Sequence, residues 1–244
     1  MKCLILAAGY ATRLYPLTEN FPKPLLKVKN KTIIDWLIDD IETSKKVDEY
    51  IVISNHKYYN HFYDWSKTKN INVCVIDDMT MTNEERLGAV LDIKYAIDKL
   101  NLDDDLLIIA GDNLLDFSLN SFIDYSINKA TSCVMRYYEK DIDKLIKCGV
   151  VTIDDSDRVL RMTEKSLTPE THWCTPPFYY YLKEDIKLIN EAIKDGCNTD
   201  APGSFISWLC KNRTIHAMEM PGNRYDIGNL ESYEKVQKIY NGIE

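Results

Sequence analysis

Leu6-Ala7-Ala8-Gly9-Tyr10-Ala11-Thr12-Arg13-Leu14-Tyr15-Pro16-Leu17-Thr18 and, two residues later, Phe21-Pro22-Lys23-Pro24-Leu25-Leu26 form the stretch on which the reading turns. It follows Lys2–Ala7, a short apolar run stopped by Gly9, which reads as a buried strand. Ligands of open α/β sheets bind outside the carboxyl ends of strands. Small residues at Ala8 and Gly9 let the backbone approach a ligand, and successive N–H groups can face phosphate oxygens. Arg13 offers a planar fork suited to phosphate, and Lys23, ten residues on, offers a point charge. The stretch therefore reads as a phosphate-binding opening, with Leu6, Ala8, Gly9, Tyr10, Ala11, Thr12, Arg13 and Lys23 as its contacts, rather than as a loop with two solvated cations.

Outward from it, strand-like and helix-like segments alternate. Thr32–Glu42 sets Ile33, Ile34, Leu37 and Ile41 on one helical face, with Thr32 as N-cap. Glu49–Ser54, Ile71–Ile76 and Asp105–Ala110 read as strands, and Tyr58–Trp65 and Leu87–Leu100 as helices. The later chain is richer in strands: Thr131–Tyr138, Cys148–Ile153, Val159–Thr163, Phe178–Leu182 and Thr214–Met220, with a turn at Asp154–Asp157. Helices are expected at Lys183–Lys194, Ala201–Cys210 and Leu230–Ile239. The alternation predicts an α/β fold: a Rossmann-like, doubly wound mixed sheet, mostly parallel and flanked by helices. It is expected as a single domain over 1–244, with a nucleotide-binding half over about 1–115 and an acceptor-binding half over about 116–244.

Composition fits a globular chain: 244 residues, 45% of them apolar and 28% charged. A net charge of −8 argues against nucleic-acid binding, which rests largely on cationic neutralisation of phosphates. No apolar run approaches the roughly 20 residues of a spanning helix, and the opening run is too short for a secretory signal. Seven widely spaced cysteines without a C-x-x-C pair point to small core residues in a reducing cytoplasm.

Two aspartates stand at informative places. Asp112, in Gly111-Asp112-Asn113, follows the strand Asp105–Ala110 and emerges at its carboxyl edge. Asp226, in Tyr225-Asp226-Ile227-Gly228-Asn229-Leu230-Glu231-Ser232, precedes the closing helix. Two carboxylates with phosphate oxygens and waters suit octahedral Mg²⁺. Asp103-Asp104-Asp105 precedes its strand and reads as a solvated turn. Asp77-Asp78 lies at the carboxyl edge of a strand and keeps a minor claim to a place near the nucleotide. The four histidines show no metal spacing.

The whole string resembles the nucleotidyltransferases that make sugar nucleotides, of the glucose-1-phosphate thymidylyltransferase type. Their usual opening is L-A-x-G-x-G-T-R-L-x-P-L-T followed by P-K-P-L-L, which this chain matches except that Ala11 replaces the second glycine. Gly111-Asp112-Asn113 and the Asp226–Ser232 string match two further motifs, and the resemblance implies that Asp112 and Asp226 hold Mg²⁺. It also implies catalytic roles for Arg13, Lys23 and Asp112. It places base-reading residues between Asn83 and Gly88, although Glu84-Glu85-Arg86 departs from the thymidylyltransferase pattern and leaves the nucleobase open. Cys148-Gly149-Val150-Val151 and Thr163-Glu164-Lys165 resemble acceptor motifs. In these the glycine backbone and the glutamate meet the sugar and the lysine grips its phosphate. An N-x-G-x-Y segment of the family is replaced by Trp173-Cys174-Thr175-Pro176-Pro177-Phe178-Tyr179-Tyr180.

The implied reaction joins an NTP and a phosphorylated acceptor, a sugar 1-phosphate, into an NDP-linked product and pyrophosphate. A phosphate monoester is already a competent nucleophile, which agrees with the lack of a Ser/His/Asp or Cys/His constellation. Catalysis would be positioning and charge neutralisation. Two other readings stay open: a cytidylyltransferase acting on phosphocholine or a phosphonate, and a non-catalytic sensor of nucleotide sugars. The expected partners are small molecules, with neither nucleic acid nor membrane among them; nothing in the sequence selects an oligomeric state.

Overall fold

The structure is a computed structural model and describes residues 1–243. Its strands are β1 (Lys2–Leu6), β2 (Lys27–Val28), β3 (Lys31–Thr32), β4 (Glu49–Ser54), β5 (Val73–Asp77), β6 (Leu106–Ala110), β7 (Asn113–Leu115), β8 (Ser132–Tyr138), β9 (Gly149–Ile153), β10 (Val159–Glu164), β11 (Trp173–Thr175), β12 (Phe178–Tyr181), β13 (Ile215–Glu219) and β14 (Arg224–Asp226). Its helices are α1 (Ile33–Glu42), α2 (Tyr59–Ser66), α3 (Ala89–Leu100), α4 (Asn120–Lys129), α5 (Ile142–Leu145), α6 (Lys183–Ile186), α7 (Ile189–Lys194), α8 (Gly203–Leu209) and α9 (Leu230–Ile239). This is the α/β class that the alternation predicts.

Two compact units share the chain. The first takes Met1–Arg86, Ala110–Ser121 and the segment from Pro221 onward; the second takes Leu87–Ile109 and Phe122–Met220.

In the first unit β1, β4 and β5 lie side by side and parallel, with Leu4 opposite Ile51 and Val52 opposite Val75. The central residues of β1 and nearly all of β4 are buried, as strands covered on both faces require. Helix α1 is capped by Thr32, whose Oγ1 accepts from Asp35 N at 3.2 Å. It buries Ile33, Ile34, Leu37, Ile38 and Ile41. Five aliphatic side chains contribute on the order of 10 kcal/mol of transfer free energy. A cap contributes about 1 kcal/mol, so packing fixes the helix and capping trims its end. A cluster of Leu14, Leu26, Val28, Ile33, Leu114, Ile227, Val236 and Tyr240 joins the opening loop to α1, β7 and α9. Helix α9 begins with a capping box: Asn229 Oδ1 accepts from Ser232 N, and Ser232 Oγ accepts from Asn229 N.

The second unit is antiparallel along the order β10-β9-β11-β8-β12-β6, and β13 joins β8 in parallel. The Asp154–Asp157 turn joins β9 to β10, with Asp154 Oδ1 accepting from Ser156 N and Arg158 N. The helix expected over Lys183–Lys194 is two short helices, α6 and α7. The acidic triplet is more than a solvated turn. Asp105 accepts from Tyr180 OH at 2.9 Å and from Lys183 N at 2.8 Å, and Asp103 pairs with Lys183 at 2.7 Å. Asp105 thereby holds the amino end of α6, a contact visible only once β12 lies beside β6.

Candidate active site

In the first unit the opening loop is pinned at several points. Ala7 N donates to Ile53 O at 2.9 Å, and Asn55 Nδ2 donates to Ala8 O at 2.9 Å. Thr18 Oγ1 donates to Ala11 O at 2.8 Å, and Tyr58 OH donates to Thr18 O at 2.6 Å. Ala11 sits at φ 47° and ψ 41°, in the left-handed region, and caps the short 3₁₀ turn Thr12–Leu14. This is the place where the resembling motif carries glycine, and the conformation explains why: a Cβ there costs about 1–2 kcal/mol. Gly9 differs. It is exposed, its backbone is not left-handed, and a Cβ added to it would meet nothing within 4 Å. Tyr10 is buried, with its hydroxyl 3.4 Å from Thr80 Oγ1. Leu6 ends β1, Thr12 and Arg13 are exposed, and Leu14 beside them is core.

Lys23 is buried to 7% exposure, and its Nζ lies 2.7 Å from Asp112 Oδ2. The other oxygen of Asp112 accepts from Asn113 Nδ2 at 2.8 Å, and Asn113 Oδ1 accepts from Arg224 Nη1 at 2.7 Å. Desolvation pushes the Asp112 carboxyl up, but the Lys23 ammonium and Arg224 outweigh it and hold the group below its ordinary range. Strands β7 and β14 pair antiparallel with Asp226 opposite Asn113, one residue from Asp112 along β7's lead-in. Asp226 is exposed. A Cβ on Gly228 would lie 3.8 Å from Asp226 Oδ2 and 4.0 Å from Arg13 Nη1, so the Asp226 carboxylate and the Arg13 guanidinium both approach the same point beside one glycine. The structure thus gathers Arg13, Lys23, Asp112 and Asp226 in one unit. Among the described residues no group of three or more His, Cys, Asp or Glu side chains forms a metal cage. Asp112 and the exposed Asp226 are oxygen donors of the type a hard divalent cation takes together with waters and phosphate oxygens.

Asn113, Arg224 and Asn55 also shape the site, and the sequence marks them only by position. Asn113 stands beside Asp112, Arg224 two residues before Asp226, and Asn55 directly after a strand. Asp77 pairs with His56 at 2.5 Å. Asp78 is buried and accepts from Thr80 N and Oγ1 at 2.7 and 2.8 Å, and burial pushes its carboxyl up. Asn83 lies in the first unit, with its carbonyl 3.5 Å from Arg86 Nη1. Gly88 lies in the second, at φ +94° as N-cap of α3. A Cβ on Gly88 would sit 2.5 Å from Thr199 O, and Ala89 N and Val90 N donate to Asp200 O and Thr199 O. Backbone packing alone demands that glycine.

The second unit holds a cleft of about 510 Å³ lined by Glu164, Lys165, Asp200, Ser204, Trp208 and neighbouring side chains. Glu164 follows Thr163 at the end of β10, and its Oε1 lies against two glycines: a Cβ on Gly149 would be 2.9 Å from it, and one on Gly203 only 1.9 Å. Burial pushes the Glu164 carboxyl up to about 7, with Lys165 opposing. Lys165 Nζ lies 3.2 Å from Asp200 Oδ2. The Trp173–Tyr180 segment supplies β11 and most of β12, inner strands of the sheet.

A model of the family described as Nucleotidyl transferase matches residues 2–242. The chain belongs to the nucleotidyl transferase family. Among curated relatives, Bifunctional protein GlmU of Methanocaldococcus jannaschii is 26% identical over 231 residues, covering 93% of this chain and 51% of the relative. UTP–glucose-1-phosphate uridylyltransferase AglF of Haloferax volcanii is 23% identical over 253 residues, covering 98% and 96%. The chain spans about half the length of the first relative and nearly all of the second. The structure of a UDP-glucose pyrophosphorylase complexed with UDP-glucose superposes with a TM-score of 0.83 at 19% identity, covering 98% and 97% of the two chains, a likeness of fold. No described helix of this family member is long and apolar enough to cross a membrane.

Proposed function

We propose that this chain transfers a nucleoside monophosphate from an NTP to a sugar 1-phosphate, releasing pyrophosphate. The observation that carries the reading is the first-unit cluster: a pinned loop with open space beside Gly9, Arg13 and Asp226 close to one point beside Gly228, and Lys23 on Asp112. The family supports the reaction class, and the uridylyltransferase and pyrophosphorylase relatives support a sugar acceptor.

The backbone from Gly9 to Thr12 would receive NTP phosphates, with the room beside Gly9 left for their oxygens. Lys23 would bind the phosphates as a point charge, and Arg13 would stabilise charge on the departing pyrophosphate. Asp112 and Asp226 would hold Mg²⁺. That ion, when bound, supplies charge neutralisation and alignment of phosphate oxygens. Asn113 and Arg224 orient Asp112. The segment from Asn83 to Gly88 is proposed to read the base. Lys165 would take the acceptor phosphate, and Gly149 and Glu164 its sugar. No side chain need act as general base, because the acceptor phosphate is itself the nucleophile. Seven free cysteines suit a reducing cytoplasm.

The test is pyrophosphate release across ATP, GTP, CTP, UTP and dTTP with Mg²⁺. The acceptors are the 1-phosphates of glucose, galactose, mannose and glucosamine, with phosphocholine and 2-aminoethylphosphonate beside them. Release that depends on a sugar 1-phosphate, lost in Asp112→Ala and lowered more than tenfold in kcat in Arg13→Ala, is the expected result. Turnover with CTP and phosphocholine alone would replace the sugar with a choline acceptor. Silence with every pair, alongside binding of a nucleotide sugar by calorimetry, would make the chain a sensor.

A further inference from the structure

We infer that Ser204 is a specificity-determining residue of the second-unit cleft, hydrogen-bonding a ring hydroxyl of a sugar-phosphate acceptor. The inference rests on the nucleotidyltransferase reading and extends it to a residue outside the matched motifs. Ser204, in the first turn of α8, is only 5% exposed, lines the cleft, and its Oγ has no hydrogen-bond partner. Buried hydroxyls are normally paired, and an orphan on the wall of a cleft calls for a partner. Ser204 adjoins Gly203, where a Cβ would lie 1.9 Å from Glu164 Oε1, so the orphan hydroxyl stands next to a carboxylate that lines the same cleft. A single χ1 rotation swings the Ser204 oxygen between the packed interior and the space it borders.

The wall of the cleft agrees with a sugar. Trp208 presents an indole held by its Nε1 donating to Asp195 Oδ2 at 3.0 Å. Among the described residues lining the cleft it is the one aromatic side chain. A quaternary ammonium is recognised by a cage of several aromatic faces. One aromatic plate among hydroxyl and carboxyl groups matches a pyranose instead, with an apolar face and a rim of hydroxyls.

The test uses the full chain with glucose, mannose and glucosamine 1-phosphates, and phosphocholine for comparison. Calorimetry measures binding and pyrophosphate release measures turnover. Ser204→Ala deletes an unpaired hydroxyl, so it is expected to melt no lower than the parent. It should raise the Kd of the sugar phosphate about tenfold, the value of one good hydrogen bond. The loss should appear in the acceptor KM rather than in kcat, and the KM for NTP should stay unchanged. A variant that binds the sugar phosphates as tightly as the parent overturns the inference. So does a parent that binds phosphocholine in preference, or none of the four probes. Sugar-phosphate binding weakened by the variant, without pyrophosphate release from any NTP, would uphold the inference and remove the enzymatic reading.

Discussion

Gly9 and Ala11 are two residues apart and obey opposite rules. Ala11 occupies a left-handed conformation where glycine is the natural choice, whereas Gly9 occupies an ordinary one with free space at its Cα. Ala11→Gly relieves about 1–2 kcal/mol of strain and gives back about 0.5–1 kcal/mol in unfolded-state entropy. Denaturant titration should therefore find it neutral to slightly stabilised. Gly9→Ala should leave stability unchanged but weaken NTP binding at least tenfold, since the new methyl fills space meant for phosphate; unchanged NTP affinity would remove Gly9 from the site. Glu164 carries a pH signature. Its carboxyl is raised from 4.5 to about 7 on folding, so the folded state binds the proton more tightly. The associated stability is complete below 4.5 and is lost as pH rises through 7. Glu164→Gln should flatten stability against pH across that window and leave the variant the more stable of the two at about pH 8. At this scale the sequence is eloquent about Arg13, Lys23 and Asp112, whose types announce phosphate and metal chemistry. It is silent about Asn55, and about what the motif residue Asn113 holds, because an asparagine that orients a neighbour looks like any loop asparagine until its partner is beside it.

Among the elements, those with a long apolar period are legible from the spacing of their residues alone. Helices α1 and α9 and strand β4 begin and end as predicted; in α1 and β4 many buried side chains agree on one period, whereas α9 buries Val236 alone and opens on the capping box at Asn229. Strands β7 and β14 give no such signal. Each has three residues, too few for a period, and they exist because they pair with each other. Helix α4 is equally silent, since Asn-Ser-Phe-Ile-Asp-Tyr-Ser-Ile-Asn-Lys is poor in strong helix formers and folds as helix only by burying Phe122 and Ile123. The β7–β14 ribbon nonetheless matters most for the chemistry: it puts Asp226 opposite Asn113 and hands Arg224 to Asn113. Arg224→Met should keep the ribbon paired while releasing the Asn113 side chain. We expect the Mg²⁺ concentration for half-maximal turnover to rise about tenfold, the usual effect of losing a group that orients a metal ligand. A Mg²⁺ titration that superposes on the parent would show that Arg224 does not position Asp112.

Across the whole molecule, the interleaving of segments governs what can be cut. The first unit's core joins Leu14, Leu26, Val28, Ile33 and Leu114 to Ile227, Val236 and Tyr240. A fragment of residues 1–115 lacks the last three, along with β14 and all of α9. Losing several large core side chains at about 2–5 kcal/mol each takes away most of the roughly 5–15 kcal/mol that holds a typical domain together. The fragment should show neither a cooperative melting transition nor dispersed amide resonances; a cooperative transition would show that the N-terminal segments close a core of their own. The same interleaving sets a schedule during synthesis. Leu14 leaves the ribosome early, and Tyr240 follows on the order of ten to fifty seconds later at typical elongation rates of about 5–20 residues per second. The second unit's residues emerge in between and can complete their own contacts while Leu14, Leu26, Val28 and Ile33 still wait for Ile227, Val236 and Tyr240. The nascent chain thus holds a sticky surface for most of its own translation, a natural client for a chaperone that binds early and lets go at the last helix.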